Sequence, residues 1–162
     1  MTWLFRPFRL FALLLISTGG WAALSDAHDY ALGSVSIAHP WALPTAPGAR
    51  TGAAFMKISN RGKTDVRLTG GFSHFAGGVE IHSMSIDDGI MRMRHLQDGL
   101  VIPAGGEAEF RPGGLHLMLT GLQRPLVLHD RVPLTLLFEG GAKINMVLFV
   151  DQPVGTPTHQ GH

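Results

Sequence analysis

Short stretches in which apolar and polar residues alternate recur along the chain from residue 31 to residue 150. This period of two is typical of strands with one buried face, and no long helical period interrupts it. Gly, Pro, Asn and Asp separate the stretches, as expected of turns. The pattern therefore predicts an all-β domain, a sandwich or a barrel. The predicted strands cover residues 31–37, 52–59, 65–72, 79–86, 90–96, 108–110, 115–119, 134–138 and 143–150.

The first 27 residues form a separate segment with a basic start, a short apolar run and a small-residue end. Arg6 and Arg9 precede the apolar run, which is too short to cross a bilayer comfortably. These features predict a secretory signal peptide cleaved after Ala27, or alternatively after Ala22 or Ala23. An uncleaved membrane anchor is the other interpretation. We therefore expect export to the periplasm, with no membrane insertion after cleavage.

The rest of the chain is expected to form one monomeric domain, residues 28–151, followed by a flexible tail, residues 152–162. A composition of 45% hydrophobic and 15% charged residues is sufficient for a folded core. Three prolines in residues 40–48 predict a rigid surface loop leading into the second strand.

Charge and cysteine content argue against several classes of function. Two of the 13 basic residues and one of the 12 acidic residues lie in the leader, so eleven of each remain. These balanced, scattered charges argue against a nucleic-acid partner, which requires a basic face. The chain has no cysteine, which excludes blue-copper electron transfer and disfavours a structural zinc site. No activated nucleophile is recognisable, so we do not expect an enzyme.

The dipeptide Asp88-Gly89 lies between two alternating stretches and predicts a hairpin with a two-residue type I′ turn. In this register Met84 faces Met93, and His82 faces His95. Because side chains two residues apart share a face, one face of the hairpin carries imidazole and thioether donors. The residues predicted on that face are His82, Met84, Met91, Met93 and His95.

A third segment adds two donors of the same kind, His116 and Met118, which also share a face. Thioether sulfur is soft and neutral, so these donors together favour copper(I) over zinc, magnesium or calcium. Asp and Glu are expected to be absent from these faces, which further disfavours hard metals. The structural alternative is a methionine-lined core with two hydrogen-bonded histidines.

The segments 80–84, 91–94 and 112–118 resemble signatures of the periplasmic copper chaperones called PCu(A)C. In that family a histidine and a methionine enclose ten residues, and a His-X-Met motif follows after about twenty-one more. Here His82 and Met93 enclose ten residues, and His116-Leu117-Met118 completes the pattern. Met93 and His116 enclose twenty-two residues, and the additional one is placed between His95 and Gly99, where a loop absorbs it.

The resemblance implies a cupredoxin-like Greek-key β-sandwich or barrel with copper(I) bound by His82, Met93, His116 and Met118. It also implies delivery of copper to an acceptor protein, such as a cytochrome c oxidase subunit with its dinuclear copper centre, or another copper chaperone. A periplasmic copper storage or resistance protein would bind the ion in the same way. A non-catalytic adhesion or structural module is the alternative from a different class.

Neighbouring residues are assigned lesser roles. Met84 is expected to pack beside the site, with occasional ligation as the alternative. Met91 and His95 are expected to face solvent or to support the ligands. Trp41 either shields the site or fills the core, and core filling is the preferred interpretation.

The two ends of the mature chain offer a second, weaker copper(II) site. After cleavage His28 would present an amine and an imidazole, an arrangement also found in copper monooxygenases. The tail histidines His159 and His162 are the other candidates, although a functionally silent tail is the preferred interpretation.

Overall fold

The computed structural model describes residues 29–152, so the predictions on the leader, His28 and the tail histidines lie outside the described residues. This part of the chain contains eleven strands and one 3-10 turn. Nothing helical between residues 29 and 152 has the length and apolar character needed to span a bilayer. The elements are β1 (Tyr30–Leu32), β2 (Val35–Ala42), β3 (Thr51–Asn60), β4 (Val66–Phe72), β5 (Gly78–Asp87), β6 (Ile90–His95), β7 (Leu100–Ile102), β8 (Glu107–Phe110), β9 (His116–Thr120), β10 (Arg131–Phe138), the 3-10 turn (Glu139–Gly141) and β11 (Lys143–Val150).

Seven of the strands close into a barrel. Their order around it is β2, β11, β10, β4, β5, β9 and β3, and β3 pairs again with β2. All these pairs are antiparallel except β11 with β2, which is parallel. The four remaining strands extend from the barrel: β1 pairs with β2, β6 with β5, β7 with β4 and β8 with β3. The predicted all-β architecture is confirmed, in its barrel form.

The core lies inside the barrel and consists of the inward-facing residues of the alternating strands. On β11, for example, Ile144, Met146 and Leu148 are buried, while the alternate residues Lys143 and Asn145 are exposed. Fully burying a side chain of this size stabilises the fold by about 1.5–3 kcal/mol. The alternation of apolar and polar residues in the sequence therefore indicates which side chains point into the barrel and which point out of it.

Two predicted boundaries in the first part of the chain were wrong. The first predicted strand is divided into β1 and β2 by a turn at Gly33, whose φ of 60° requires the left-handed region. The predicted loop beginning at Pro40 starts later, because β2 continues through Ala42. The strand accommodates Pro40 at a bulge, where His39 has a φ of 50° and the pairing with β3 shifts.

Strand β7 was not predicted. It has three residues, too few for an alternating pattern to be distinguished from a loop, and it forms by pairing with β4.

Candidate metal centre

The hairpin that carries the first donors has the predicted register. Asp88 and Gly89 form its turn with φ values of 51° and 76°, the positive pair that a type I′ turn requires. Met84 lies opposite Met93 across β5 and β6. The Asp-Gly turn therefore fixes the register in which Met84 pairs with Met93 and His82 pairs with His95.

Strand β9 lies on the other side of β5 and brings the remaining donors next to it. His116 lies opposite His82, and Met118 lies opposite Glu80. Opposite residues in an antiparallel pair project from the same face of the sheet. The four predicted ligands, on β5, β6 and β9, thus share one face, which is the outer face of the barrel, since Ile81 and Leu117 point into the core.

The four donors differ in their access to solvent. His116 is buried, with 4% of its surface exposed, and His82 is largely buried. Met118 is half-buried, whereas Met93 on the outer strand of the hairpin is 47% exposed. The donor face is therefore shielded from solvent near His116 and exposed to solvent near Met93.

Hydrogen bonds orient the imidazole rings of His82 and His116 and determine which nitrogen of each ring is unprotonated. Nδ1 of His116 lies 3.1 Å from the carbonyl oxygen of Gly114. A carbonyl only accepts, so this nitrogen carries the proton and Nε2 keeps its lone pair. Nε2 of His82 lies 2.9 Å from Oε2 of Glu80, which leaves Nδ1 of His82 as the unprotonated nitrogen. Each ring thus presents one free lone pair.

Nδ1 of His82 is buried and has no hydrogen-bond partner in the part of the chain that the structure describes. Buried polar atoms are nearly always paired, and an exception of this kind marks a site that an ion can complete. The ring centroids of His82 and His116 are 5.7 Å apart, so the free nitrogens belong to neighbouring rings.

The expectation that no carboxylate lies on the ligand face was wrong. Glu80 is two residues before His82, projects from the same face and hydrogen-bonds to it. His95 completes the group, with its ring stacked on that of His82 at a centroid distance of 5.1 Å. The sequence signal was available, because the same period of two that groups His82 with Met84 also includes Glu80.

Trp41 does not fill the core, contrary to the preferred interpretation. It lies on the outer face of β2 and contacts Phe55 of β3, with ring centroids 4.7 Å apart. Ala53 lies opposite Met118, and continuing that register places Phe55 opposite His116. Trp41 and Phe55 therefore border the donor face along strand β3, next to His116.

Comparison with known proteins places the chain in a family. A family model described as "Putative lipoprotein LpqE-like" matches residues 35–150. The chain belongs to this family. The "Putative lipoprotein Lxx21020" of Leifsonia xyli subsp. xyli is 32% identical over 108 residues, which cover 67% of this chain and 64% of that protein. The "Uncharacterized protein RP573" of Rickettsia prowazekii is 29% identical over 126 residues, covering 74% and 69%.

Solved structures show the same fold. A "Copper-bound PCuAC domain from PmoF2" aligns with a TM-score of 0.65 and 24% identity, covering 78% of this chain and 99% of that domain. The solution structure of "CuI-DR1885" from Deinococcus radiodurans aligns with a TM-score of 0.59 and 25% identity, covering 82% and 85%. The resemblance to PCu(A)C proteins and the cupredoxin-like fold are confirmed.

Proposed function

We propose that this LpqE-like protein is an exported copper chaperone that holds copper(I) through His82, Met93, His116 and Met118 and transfers it to an acceptor protein. The observation that carries the proposal is the pairing of β5 with both β6 and β9, which gathers these donors on one face. The copper named in the titles of the PmoF2 and DR1885 structures supports the same cargo.

The chemistry of the donors fits copper(I). Two neutral imidazoles and two thioethers form a soft set, and the face carries no thiolate that would tune a redox centre. The unpartnered Nδ1 of His82 gives the ion a preformed nitrogen ligand. The Glu80 carboxylate on the opposite nitrogen fixes the ring orientation and raises the basicity of the ligand.

The four donors differ in exposure to solvent, and this difference predicts the order in which an acceptor replaces them. Met93 is the most accessible donor, so a ligand of the acceptor can replace it first. Met118 and His82, which are less exposed, follow, and the buried His116 releases the ion last. Single thioether bonds are individually weak, so stepwise exchange can be fast while four donors together keep free copper scarce.

The cell compartment and the acceptor are also part of the proposal. The description of the family as lipoproteins supports an exported protein at the cell envelope, and we place it in the periplasm. The dinuclear copper centre of cytochrome c oxidase is the acceptor that the PCu(A)C resemblance implies.

Replacement of Met93 and Met118 by leucine tests the ligand set. Leucine keeps the apolar volume but has no sulfur, so tight copper(I) binding should be lost while the fold is retained. Competition with a chromophoric copper(I) chelator under reducing conditions measures the affinity, and X-ray absorption identifies the sulfur ligands. Met146→Leu is the matched control, because Met146 is buried in the core and should leave the affinity unchanged. Unchanged affinity in the double variant would refute the assignment.

Transfer is tested separately with the copper-loaded protein and an oxidase-derived acceptor fragment. Movement of copper(I) to the fragment supports a chaperone. Stoichiometric binding without transfer would instead indicate a storage or resistance protein.

A further inference from the structure

Glu80, His82 and His95 form a compact group beside the copper(I) ligands. One ligand atom from each, a carboxylate oxygen and two imidazole nitrogens, lies within 4.8 Å of the others. Oε2 of Glu80 is 2.9 Å from Nε2 of His82 and 3.9 Å from Nδ1 of His95. The three side chains come from β5 and β6, whose hairpin register places His95 directly opposite His82.

These separations match those of ligands around one ion. Bonds of 2.0–2.2 Å to a four-coordinate ion place neighbouring ligand atoms roughly 3–3.5 Å apart. The two distances to Glu80 bracket this value. Small side-chain rotations, together with the ring tautomer of His82 that carries its proton on Nδ1, allow Nε2 to bind an ion here.

Charge and access favour a cation at the same place. Glu80 forms no salt bridge with Lys or Arg among residues 29–152, and its carboxylate lies beside the imidazoles of His82 and His95. The side chains of Glu80 and His95 are more than a third exposed, which leaves a path from solvent.

We infer that Glu80, His82 and His95 form a second metal site, for copper(II), that overlaps the copper(I) site at His82. Two nitrogens and one carboxylate oxygen suit divalent zinc or copper, and the Irving–Williams order gives copper(II) the higher affinity. The oxidation state of the ion then selects the ligands: copper(I) takes the methionine sulfurs, and copper(II) takes Glu80 and His95. The inference does not depend on the proposed transfer function.

Titration of the full-length mature protein with copper(II), followed by electron paramagnetic resonance, tests this site. The spectrum should show coupling to two imidazole nitrogens. Loss of an outer partner of a metal ligand typically costs 10–100-fold in affinity, so His95→Ala, which removes a ligand, should weaken copper(II) binding at least about tenfold. The same variant should weaken copper(I) binding less than copper(II) binding, since His95 is outside the copper(I) ligand set.

Two control variants make the outcome decisive. His74→Ala removes another exposed histidine and should leave copper(II) binding unchanged. The Met93→Leu and Met118→Leu double variant should keep copper(II) binding even where copper(I) binding is lost, so the two proposals fail independently. Equal copper(II) affinity in the His95 and His74 variants would overturn the inference. A loss that follows replacement of His159 and His162 instead of His95 would also overturn it.

Discussion

Where β5 and β9 pair in the barrel wall, at residues 79–82 and 116–119, their two faces differ completely in composition. The inner face is apolar and almost inaccessible, with no residue more than 7% exposed. The outer face carries every donor that these two strands contribute to the metal sites. The inner residues are Val79, Ile81, Leu117 and Leu119, and the outer residues are Glu80, His82, His116 and Met118.

Residues that stabilise the core and residues that can bind a metal therefore alternate along the same two strands. Because successive side chains point to opposite faces, a donor can be changed without removing a core contact. A one-residue slip of either strand would exchange the two faces, so the apolar face also fixes the register that brings the donors together. Predictions on the two faces can therefore be tested independently.

The largest loss of stability is expected on the inner face. Leu117→Ala removes a fully buried side chain between His116 and Met118, and such substitutions cost about 2–5 kcal/mol because they leave a cavity. Denaturant-induced unfolding measures the change. Leu128→Ala is the control, because Leu128 is 40% exposed and should cost less than about 1 kcal/mol. Similar losses for the two variants would contradict the assignment of Leu117 to the core.

An intermediate effect is expected at the turn that positions Met93. Gly89→Ala places a side chain at a φ of 76°, which costs about 1–2 kcal/mol outside glycine. The strain falls on the β5–β6 hairpin, so copper(I) affinity should fall together with the free energy of unfolding. Chelator competition and denaturant unfolding on the same preparation measure both quantities.

Gly105→Ala is the matched control for the turn. Gly105 has a φ of 69° and lies between β7 and β8, strands that carry none of the donors. We expect a comparable loss of stability with unchanged copper(I) affinity. A fall in affinity for both variants would mean that the hairpin turn has no specific role in placing Met93.

The sequence predicted the hairpin best, because its register depends on a local signal. Asp88-Gly89 admits one favoured turn, and that turn sets His82 opposite His95 without reference to the rest of the fold. The placement of β9 beside β5 was not accessible in this way. His116 is 34 positions from His82, and their pairing depends on how the whole barrel closes.

The errors have physical causes of the same kind. Core filling was the preferred interpretation for Trp41, but a bulge at His39 shifts the pairing of β2 with β3 and places the side chain on the outer face. Asp and Glu were expected to be absent from the ligand face, although the position of Glu80 in the strand already placed it beside His82. Alternation identifies the face of a residue, whereas burial and partners depend on neighbouring strands.

The smallest loss of stability is expected on the outer face, at Glu80. Glu80→Gln keeps the size of the side chain but removes its charge, and substitution at this half-exposed position should alter the free energy of unfolding by less than about 1 kcal/mol. Copper(I) affinity should nevertheless fall by about tenfold, because the carboxylate orients His82 and increases its basicity. Ring nitrogen chemical shifts of His82 report the tautomer directly. Glu109→Gln makes the same chemical change at an exposed position of β8. Equal affinities for the two variants would show that Glu80 does not support the ligand.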